Sequence, residues 1–314
     1  MMERRYLMDD LHPLLQLLLL GSMAVVSTLV FSWLGMYLVR PLFGITRIDE
    51  VLQGAIDHPA AVAMNANQIN ALKFLQFMGS VGAFFLPTIA FAKMKFPDGD
   101  FLKLNARSPV LYLILGVLII FSASPFIDVS YFINQKLTLP SAFSDLEQWM
   151  KDSENSGQQL QLAFIQTPRP ADLWINLIVM AMLPAIGEEL MFRGCVQQVM
   201  REWTKNVHVA VWSAAFIFSF IHFEFYGFVP RMLLGGLLGY LFVWSGTLWV
   251  PIIAHALYNG IQIVLAYLHD HKMIQFDITA QQLLPVPEII LASFICIALL
   301  LLFKRMVDKH RFIY

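Results

Sequence analysis

Two adjacent glutamates, Glu188 and Glu189, stand in an apolar stretch that also holds Arg193. Insertion scales assign about 2.5–3.5 kcal/mol to an Asp or a basic residue at the centre of a membrane helix, so such residues are interpreted by default as a functional site. Neighbours on a helix point about 100° apart, so the two glutamates cannot face one point. Glu189 and Arg193 are four residues apart, in the order favoured for an ion pair. This pairing leaves Glu188 free to face a cavity.

Two histidines occur in later apolar stretches and complete a set that suits hydrolysis. His222 ends one stretch, and His255 lies four residues before Asn259, which puts these two side chains on one helical face. A carboxylate or an imidazole can take the proton of an attacking water, while a second group stabilises the oxyanion or protonates the leaving amine. Asn259 can orient an imidazole or hold a substrate oxygen. The structural alternative for each of these residues is hydrogen bonding between membrane helices.

The same residue types can also hold a metal. Glu188, His222 and His255 would bind zinc as two imidazoles and one carboxylate, with water in the open position. The HExxH signature of helical zinc sites is absent from the sequence. A metal-bound histidine commonly donates to a carboxylate, and neither histidine has an obvious one in the sequence, although Glu189 or Glu224 could serve. Glutamate-activated water is therefore favoured, and metal dependence stays open.

The composition indicates a polytopic membrane protein. Of the 314 residues, 58% are hydrophobic and 14% are charged. A soluble domain is about 25% charged. The net charge of −1 gives no indication of nucleic-acid binding. Cys195 and Cys296 stand in apolar surroundings and are interpreted as core residues. The first apolar run is too long for a signal-peptide core, so it is predicted to be a retained span.

The hydrophobic pattern predicts about eight transmembrane helices bundled around a buried polar cavity, in one membrane domain (1–314) with an all-α fold. A polar extramembrane loop at 134–170 separates the third span from the fourth and has room for a short surface helix. A bilayer requires spans of roughly 20 residues each. The predicted spans are 13–39, 71–92, 109–133, 172–200, 207–223, 229–245, 247–268 and 286–303.

Lys and Arg residues at the span ends predict the orientation. With eight spans, four basic clusters fall on one side, which predicts that both termini are cytoplasmic in a bacterial-type inner (plasma) membrane. Helix-length estimates bring Glu188, His222 and His255 to one buried cavity that opens to the cytoplasm. The four clusters are Arg4 and Arg5; Lys93, Lys95, Lys103 and Arg107; Arg201 and Lys205; and Lys304, Arg305, Lys309 and Arg311.

Other residues are predicted to shape the helices rather than to react. Pro184 should loosen its helix just before the glutamates, because proline lacks a backbone N–H. Gly235 and Gly239 form a GxxxG pair that permits close helix approach. Arg231 is either a boundary anchor or a partner for a site carboxylate, and Glu224 is expected at a solvated boundary.

Three motifs in order resemble the CAAX protease and bacteriocin-processing (CPBP) family of intramembrane endopeptidases, which contains the Ras-converting CAAX endopeptidase. They are Glu188-Glu189-x-x-x-Arg193, Phe218-x-x-x-His222 and His255-x-x-x-Asn259. The resemblance covers about residues 170–265, the predicted catalytic helices, and nothing in residues 1–170. It implies that Glu188 activates water with support from Glu189 and Arg193, that His222 and His255 act in catalysis, and that Asn259 contacts the oxyanion or substrate.

The resulting prediction is a peptidase that cuts a membrane-associated, CAAX-like lipidated or membrane-embedded peptide, with the lipid bilayer and that substrate as partners and no nucleic acid. The family has been described both as metalloproteases and as metal-free glutamate enzymes, and the sequence leaves that choice open. A non-catalytic scaffold or bacteriocin-immunity-type protein would keep its activity without Glu188, His222 and His255. A proton-coupled transporter would instead use these groups as a relay.

Overall fold

The chain folds into a bundle of helices. The computed structural model describes residue 8 and residues 10–57, 65–165, 169–275 and 283–311. Within these residues there are ten helices of at least ten residues and no strand, which confirms the all-α prediction. The helices are α1 (Pro13–Phe43), α2 (Ile48–Asp57), α3 (Ala66–Lys95), α4 (Val110–Asn134), α5 (Ser144–Ile165), α6 (Pro170–Thr204), α7 (Val207–Phe220), α8 (Phe228–Ser245), α9 (Trp249–Asp270) and α10 (Val286–Arg311).

Seven of the helices in the described part of the chain are long and apolar enough to cross a membrane: α1, α3, α4, α6, α8, α9 and α10. Large apolar side chains are exposed on the outer helices, among them Leu18 and Trp33 on α1 and Leu291 and Phe294 on α10. Lipid tails are as apolar as these side chains, so such surfaces are stable in a bilayer. The protein is an integral, multi-pass membrane protein.

The fifth predicted span is shorter than expected. Helix α7 has 14 residues. At about 1.5 Å per residue it extends about 21 Å, against a hydrocarbon core of about 30 Å. The predicted range 207–223 was too long, because the chain turns at Ile221 and Phe223 adopts a left-handed φ of 53°. His222 therefore follows the helix rather than lying within it. The other seven predicted spans each coincide with a long apolar helix.

The stretch predicted as an extramembrane loop contains α5, a helix of 22 residues. Most residues of α5 are exposed or half-buried, but Glu154 and Phe164 are buried. Phe164 packs with Val51 of α2 and Leu72 of α3 in a small core cluster. Helices α2 and α5 thus form a layer against one end of the bundle.

Helix α6 is interrupted on both sides of the two glutamates. Wider π-helical turns at Leu177–Met182 and Phe192–Val196 flank the α-helical segment Leu183–Met191. Pro184 lies two residues after the first π turn, close to the place where the sequence predicted a loosened helix. Turns of this kind are frequent at functional sites because they redirect the side chains that follow.

Two glycines let α8 approach both α7 and α6, as the GxxxG spacing predicted. A Cβ at Gly235 would lie 3.2 Å from the Cβ of Ala215, and one at Gly239 would lie 2.8 Å from Gln197 Oε1. Arg193 Nη2 donates to the Gly235 carbonyl at 2.9 Å, and Gln197 Nε2 donates to the Gly239 carbonyl at 3.1 Å. Because both pairs are four residues apart, these bonds fix α6 and α8 in register.

Replacing Gly239 with alanine is expected to destabilise the protein by about 1–3 kcal/mol, because overpacking displaces neighbouring groups. The new Cβ would also lie 2.9 Å from Val211 Cγ1. Gly21→Ala in α1 is the matched control, since nothing lies within 4 Å of a Cβ at that position. Thermal unfolding in detergent micelles measures the difference, and equal midpoints for the two variants would contradict the packing account.

The bundle has two ends, which we name by a residue at each. At the Lys95 end, Lys95 Nζ bonds to Glu202 at 2.6 Å and to Gln16 at 2.9 Å, which joins α3, α6 and the start of α1. At the Glu154 end, Asn134 of α4 and Glu154 of α5 both bond to the chain segment between α7 and α8. Helix α7 runs from the first end toward the second.

Candidate active site

The polar residues singled out in α6 lie at the centre of the bundle. Glu188 is 8% exposed, and Glu189 and Arg193 are buried. Gly187, just before them, allows α3 to pack closely, since a Cβ there would lie 2.8 Å from Phe84 Cβ. The three charged groups are therefore buried, and the backbone beside them packs against Phe84 of α3.

Glu189 of α6 contacts both Arg193 of the same helix and His255 of α9. Arg193 Nη1 donates to Glu189 Oε1 at 2.7 Å, so the predicted ion pair is present. The same Oε1 accepts from His255 Nδ1 at 2.9 Å. Arg193 also lies over the Phe218 ring, with Cζ 4.9 Å from the ring centroid. This is a cation–π contact. The predicted local pair is thus a link between three helices.

The partners of the two imidazoles fix their tautomers. His222 Nδ1 is 2.6 Å from the Phe218 carbonyl oxygen. A carbonyl oxygen can only accept, so Nδ1 carries the proton. His255 Nδ1 donates in the same way to the Glu189 carboxylate. In the neutral rings the proton is on Nδ1, and each Nε2 presents a lone pair.

Both Nε2 atoms face Glu188. His222 Nε2 is 3.8 Å from Glu188 Oε1, and His255 Nε2 is 3.9 Å from Glu188 Oε2. These separations exceed the length of a direct hydrogen bond, about 2.7–3.2 Å, and polar contacts of this kind are commonly bridged by water. The carboxylate that has no local partner on its own helix is therefore the one that meets both histidines. Three of the predicted site residues converge at this point.

Asn259 lies outside this cluster of contacts. It is half-buried on α9, one turn beyond His255 toward the Glu154 end, and the described structure gives its amide no hydrogen-bonding partner. Arg231 and Glu224 pair with each other in an ion pair across the α7–α8 connection. Arg231 is therefore not a partner of a site carboxylate, and Glu224 does not support either histidine.

Exposure of the site increases in one direction. The His222 side chain is 23% exposed and that of Glu188 is 11% exposed, whereas those of His255 and Arg193 are 4% and 1% exposed. Toward the Lys95 end the space is filled by a core cluster of buried side chains that includes Phe192, Cys195, Val196, Val199 and Leu248.

The most exposed edge of the site therefore lies toward the Glu154 end, opposite the end where α1 begins. This follows from the shortness of α7, which ends at Phe220 and puts His222 on the connection that contacts α5. The expected opening to the cytoplasm depends on the orientation of the chain in the membrane and stays a prediction. Sequence-based depth estimates had assumed a full-length span.

The predicted metal ligands lie farther apart than the ligands of a tetrahedral zinc site. Ligand atoms about 2.0–2.1 Å from zinc are about 3.3 Å from one another. The Nε2 atoms and the Glu188 oxygens are separated by 3.8 and 3.9 Å. No group of three or more His, Cys, Asp or Glu side chains in the described part of the chain is arranged to hold a metal. Glu189, one of the two carboxylates that the sequence offered for this role, is the partner of His255.

Sequence reasoning missed two residues that support the site. Gln197 bonds to α8 one turn beyond Arg193, and the spacing of four residues in an apolar helix could have indicated it. Glu154 bonds to the backbone of Tyr226 at 2.9 Å from a helix in the polar loop. Nothing in the sequence distinguishes Glu154 from the other acidic residues of that loop.

Comparison with known proteins gives a match over the region that contains the three motifs. Residues 170–261 match the family model described as type II CAAX prenyl endopeptidase Rce1-like. The uncharacterized protein YpbD of Bacillus subtilis is 30% identical over 90 residues, which cover 27% of this chain and 43% of YpbD. The chain thus spans less than half of that relative's length. No solved structure matches the chain. The resemblance indicated by the three motifs is confirmed for the region that contains all six predicted site residues.

Proposed function

We propose, on the premise that residues 170–261 form an Rce1-like region, that this membrane protein is an endopeptidase. Its substrate is a membrane-associated peptide of the CAAX-like or membrane-embedded class, cut by water that Glu188 activates. The observation that carries the proposal is the position of the Glu188 carboxylate opposite two imidazole Nε2 atoms at 3.8 and 3.9 Å. A peptidase activity is the function that this arrangement and the family match support best.

The reaction follows from the proton positions. A water that donates one hydrogen to Glu188 and the other to His255 Nε2 transfers the first to Glu188 as its oxygen attacks the scissile carbonyl carbon. The tetrahedral intermediate carries negative charge, which the Asn259 amide stabilises from one turn away on α9. When the C–N bond breaks, Glu188 returns its proton to the leaving amine. The products are a new carboxyl terminus and a new amine, with one water consumed.

The histidines and Glu189 orient and tune this step. His255 Nε2 accepts a hydrogen bond from the bound water, and its ring is fixed because Nδ1 donates to buried Glu189. Because the water's proton goes to Glu188, the His255 ring stays neutral, and Glu189 acts by fixing its orientation. His222 Nε2 accepts from a second water, which donates its other hydrogen to Glu188 Oε1 at the exposed edge of the site. Arg193 donates to the Glu189 oxygen that also binds His255, and so helps to hold the carboxylate that orients His255.

The activity test is cleavage of a fluorogenic peptide library by the detergent-purified protein, with mass spectrometry of the products. We expect cleavage by the native protein and none by Glu188→Ala. A variant in which Glu188, His222 and His255 are all replaced but whose biological activity is normal would instead support a scaffold or immunity-type protein. Proton-coupled flux in liposomes would support the transporter alternative.

Metal removal should leave the rate unchanged. Because the imidazoles and Glu188 are spaced for a bridging water rather than for tetrahedral zinc, incubation with a chelator is expected to change cleavage less than about twofold, far below the effect of losing a catalytic metal. The measurement compares the native protein before and after dialysis against chelator. Loss of activity that added zinc restores would contradict the metal-free mechanism.

A further inference from the structure

The segment between α7 and α8, residues 221–227, bears His222 and has an unfavourable backbone conformation. Phe223, directly after His222, has a φ of 53°. This is a left-handed conformation that L-residues other than Asn and Asp rarely adopt. A turn of this kind persists only where surrounding contacts hold it. The position of His222 therefore depends on what fixes residues 221–227.

Two residues outside the Rce1-like region supply those contacts. Asn134, at the end of α4, donates both amide hydrogens to the connection, one to the Phe225 carbonyl and one to the Tyr226 carbonyl, each at 2.8 Å. Glu154 of α5 accepts from the Tyr226 backbone N–H at 2.9 Å. Asn134 and Glu154 are 8% and 4% exposed, so these bonds are shielded from water.

Further contacts make the Glu154 carboxylate the centre of a small network. Its other oxygen accepts from the Tyr131 hydroxyl at 3.3 Å, and Gln158 donates to that hydroxyl at 2.9 Å. The Trp149 ring packs on Phe225 with centroids 5.5 Å apart. Burial raises the pKa of the Glu154 carboxyl, and the hydrogen bond from Tyr226 partly offsets that effect. The bond from the Tyr226 N–H to the Glu154 carboxylate is kept only while residues 221–227 hold this conformation.

We propose that Glu154 and Asn134 are positioning residues for His222. They hold residues 221–227 against α4 and α5, and this sets the His222 imidazole opposite Glu188. Helix α5, which the family match does not cover, then helps to position His222 although it contributes no catalytic group. The inference rests on the proposed function only for its kinetic consequence, since the placement of His222 can be measured without activity.

The first experiment measures the reaction of His222 with diethyl pyrocarbonate by mass spectrometry of the full-length protein in detergent. His208 is the internal reference, because it is exposed at the opposite end of α7. Glu154→Ala should increase the rate at His222 relative to His208 by about tenfold, the population shift that loss of one buried hydrogen bond allows. An unchanged ratio would overturn the proposal.

Three further variants distinguish displacement of His222 from a general loss of protein stability. Glu154→Gln keeps an oxygen that can accept from the Tyr226 N–H, so it should restore most of the native ratio. Asn134→Leu, which removes both donors from the other side, should raise the ratio as Glu154→Ala does. Asp152→Asn, on the exposed face of α5 where Asp152 bonds to Gln148 and Ser156, should change nothing. A Glu154→Gln variant as reactive as Glu154→Ala would contradict the role of that hydrogen bond.

The kinetic readout is kcat against KM for peptide cleavage. Glu154→Ala should lower kcat by about tenfold with a smaller change in KM, because a displaced His222 affects the reacting water more than peptide binding. A normal kcat in a protein whose His222 ratio has risen would overturn the proposal. Absence of cleavage by the native protein would instead count against the proposed function, and the modification ratio would still test the placement of His222.

Discussion

Replacing Glu188 with glutamine is expected to lower kcat for peptide cleavage by about 10²–10⁴-fold, the range that a general base contributes. The glutamine amide keeps the size of the side chain but cannot take a proton from water. Both imidazole Nε2 atoms would still face residue 188, so the geometry of the site remains while the base is lost. The measurement is kcat of purified Glu188→Gln with a peptide that the native protein cuts.

The fold should survive this substitution. The contacts of Glu188 with His222 and His255 are 3.8 and 3.9 Å long. Its loss therefore breaks no direct hydrogen bond to them. Glu50→Gln is the matched control, since Glu50 forms an exposed ion pair with Arg47 at 2.7 Å, and such pairs contribute little. Native thermal stability with kcat reduced only in Glu188→Gln is the expected pattern. A Glu188→Gln enzyme with full kcat would contradict the assignment of the base.

Glu189→Leu should have its largest effect on stability. The substitution leaves the Arg193 guanidinium buried without its carboxylate and removes the acceptor of His255 Nδ1. Removing one partner of a buried pair costs about 3–5 kcal/mol, because the remaining charge is left uncompensated. The free energy of unfolding, measured in mixed micelles with increasing denaturing detergent, should fall by that amount.

A second substitution separates burial of a lone charge from loss of packing. Arg193→Met in the Glu189→Leu background removes the unpaired guanidinium, so the double variant should be more stable than Glu189→Leu alone. It should nevertheless be inactive, because His255 has lost the group that orients it. Native stability of Glu189→Leu alone would contradict the buried ion pair, and a double variant less stable than the single would contradict the charge argument.

Much of the fold follows from the sequence because a bilayer permits few solutions. Apolar runs of about 20 residues must be helices. Seven such runs are long helices in the described part of the chain. The fifth predicted span was too long because α7 ends before the left-handed turn at Phe223, and the connection that contains this turn contacts α4 and α5, which are distant in sequence. Hydropathy alone carries no information about those contacts.

Features of the site were predictable where they depend only on residue spacing within one helix. The spacing of four residues predicted the Glu189–Arg193 pair, and the angle between neighbours separated Glu188 from Glu189. Contacts between helices were not predictable in this way. The bond from His255 to Glu189 and the bonds from α6 to the carbonyls of α8 depend on how close the helices approach. Packing at Gly235 and Gly239 permits the close approach of α8.

The position of the exposed edge of the site was also beyond the sequence argument. It required the length of α7, which places His222 on the connection that contacts α5. If both termini are cytoplasmic, as the Lys and Arg distribution predicts, the exposed edge at His222 faces the opposite side of the membrane. Labelling of a cysteine introduced at Phe223, which is exposed, with a membrane-impermeant thiol reagent on intact cells tests this: labelling is expected from outside, and labelling only after lysis would contradict it.

The central claim is that Glu188, His222 and His255 form one hydrolytic site in which a peptide is bound and then cut by water. The most direct measurement follows binding and cleavage of one fluorescent peptide on the same detergent-purified sample, for the native protein and for Glu188→Gln. The account predicts that both bind the peptide with similar affinity, that the native protein cuts it, and that Glu188→Gln releases it intact. Cleavage by Glu188→Gln, or binding without cleavage by the native protein, would contradict it.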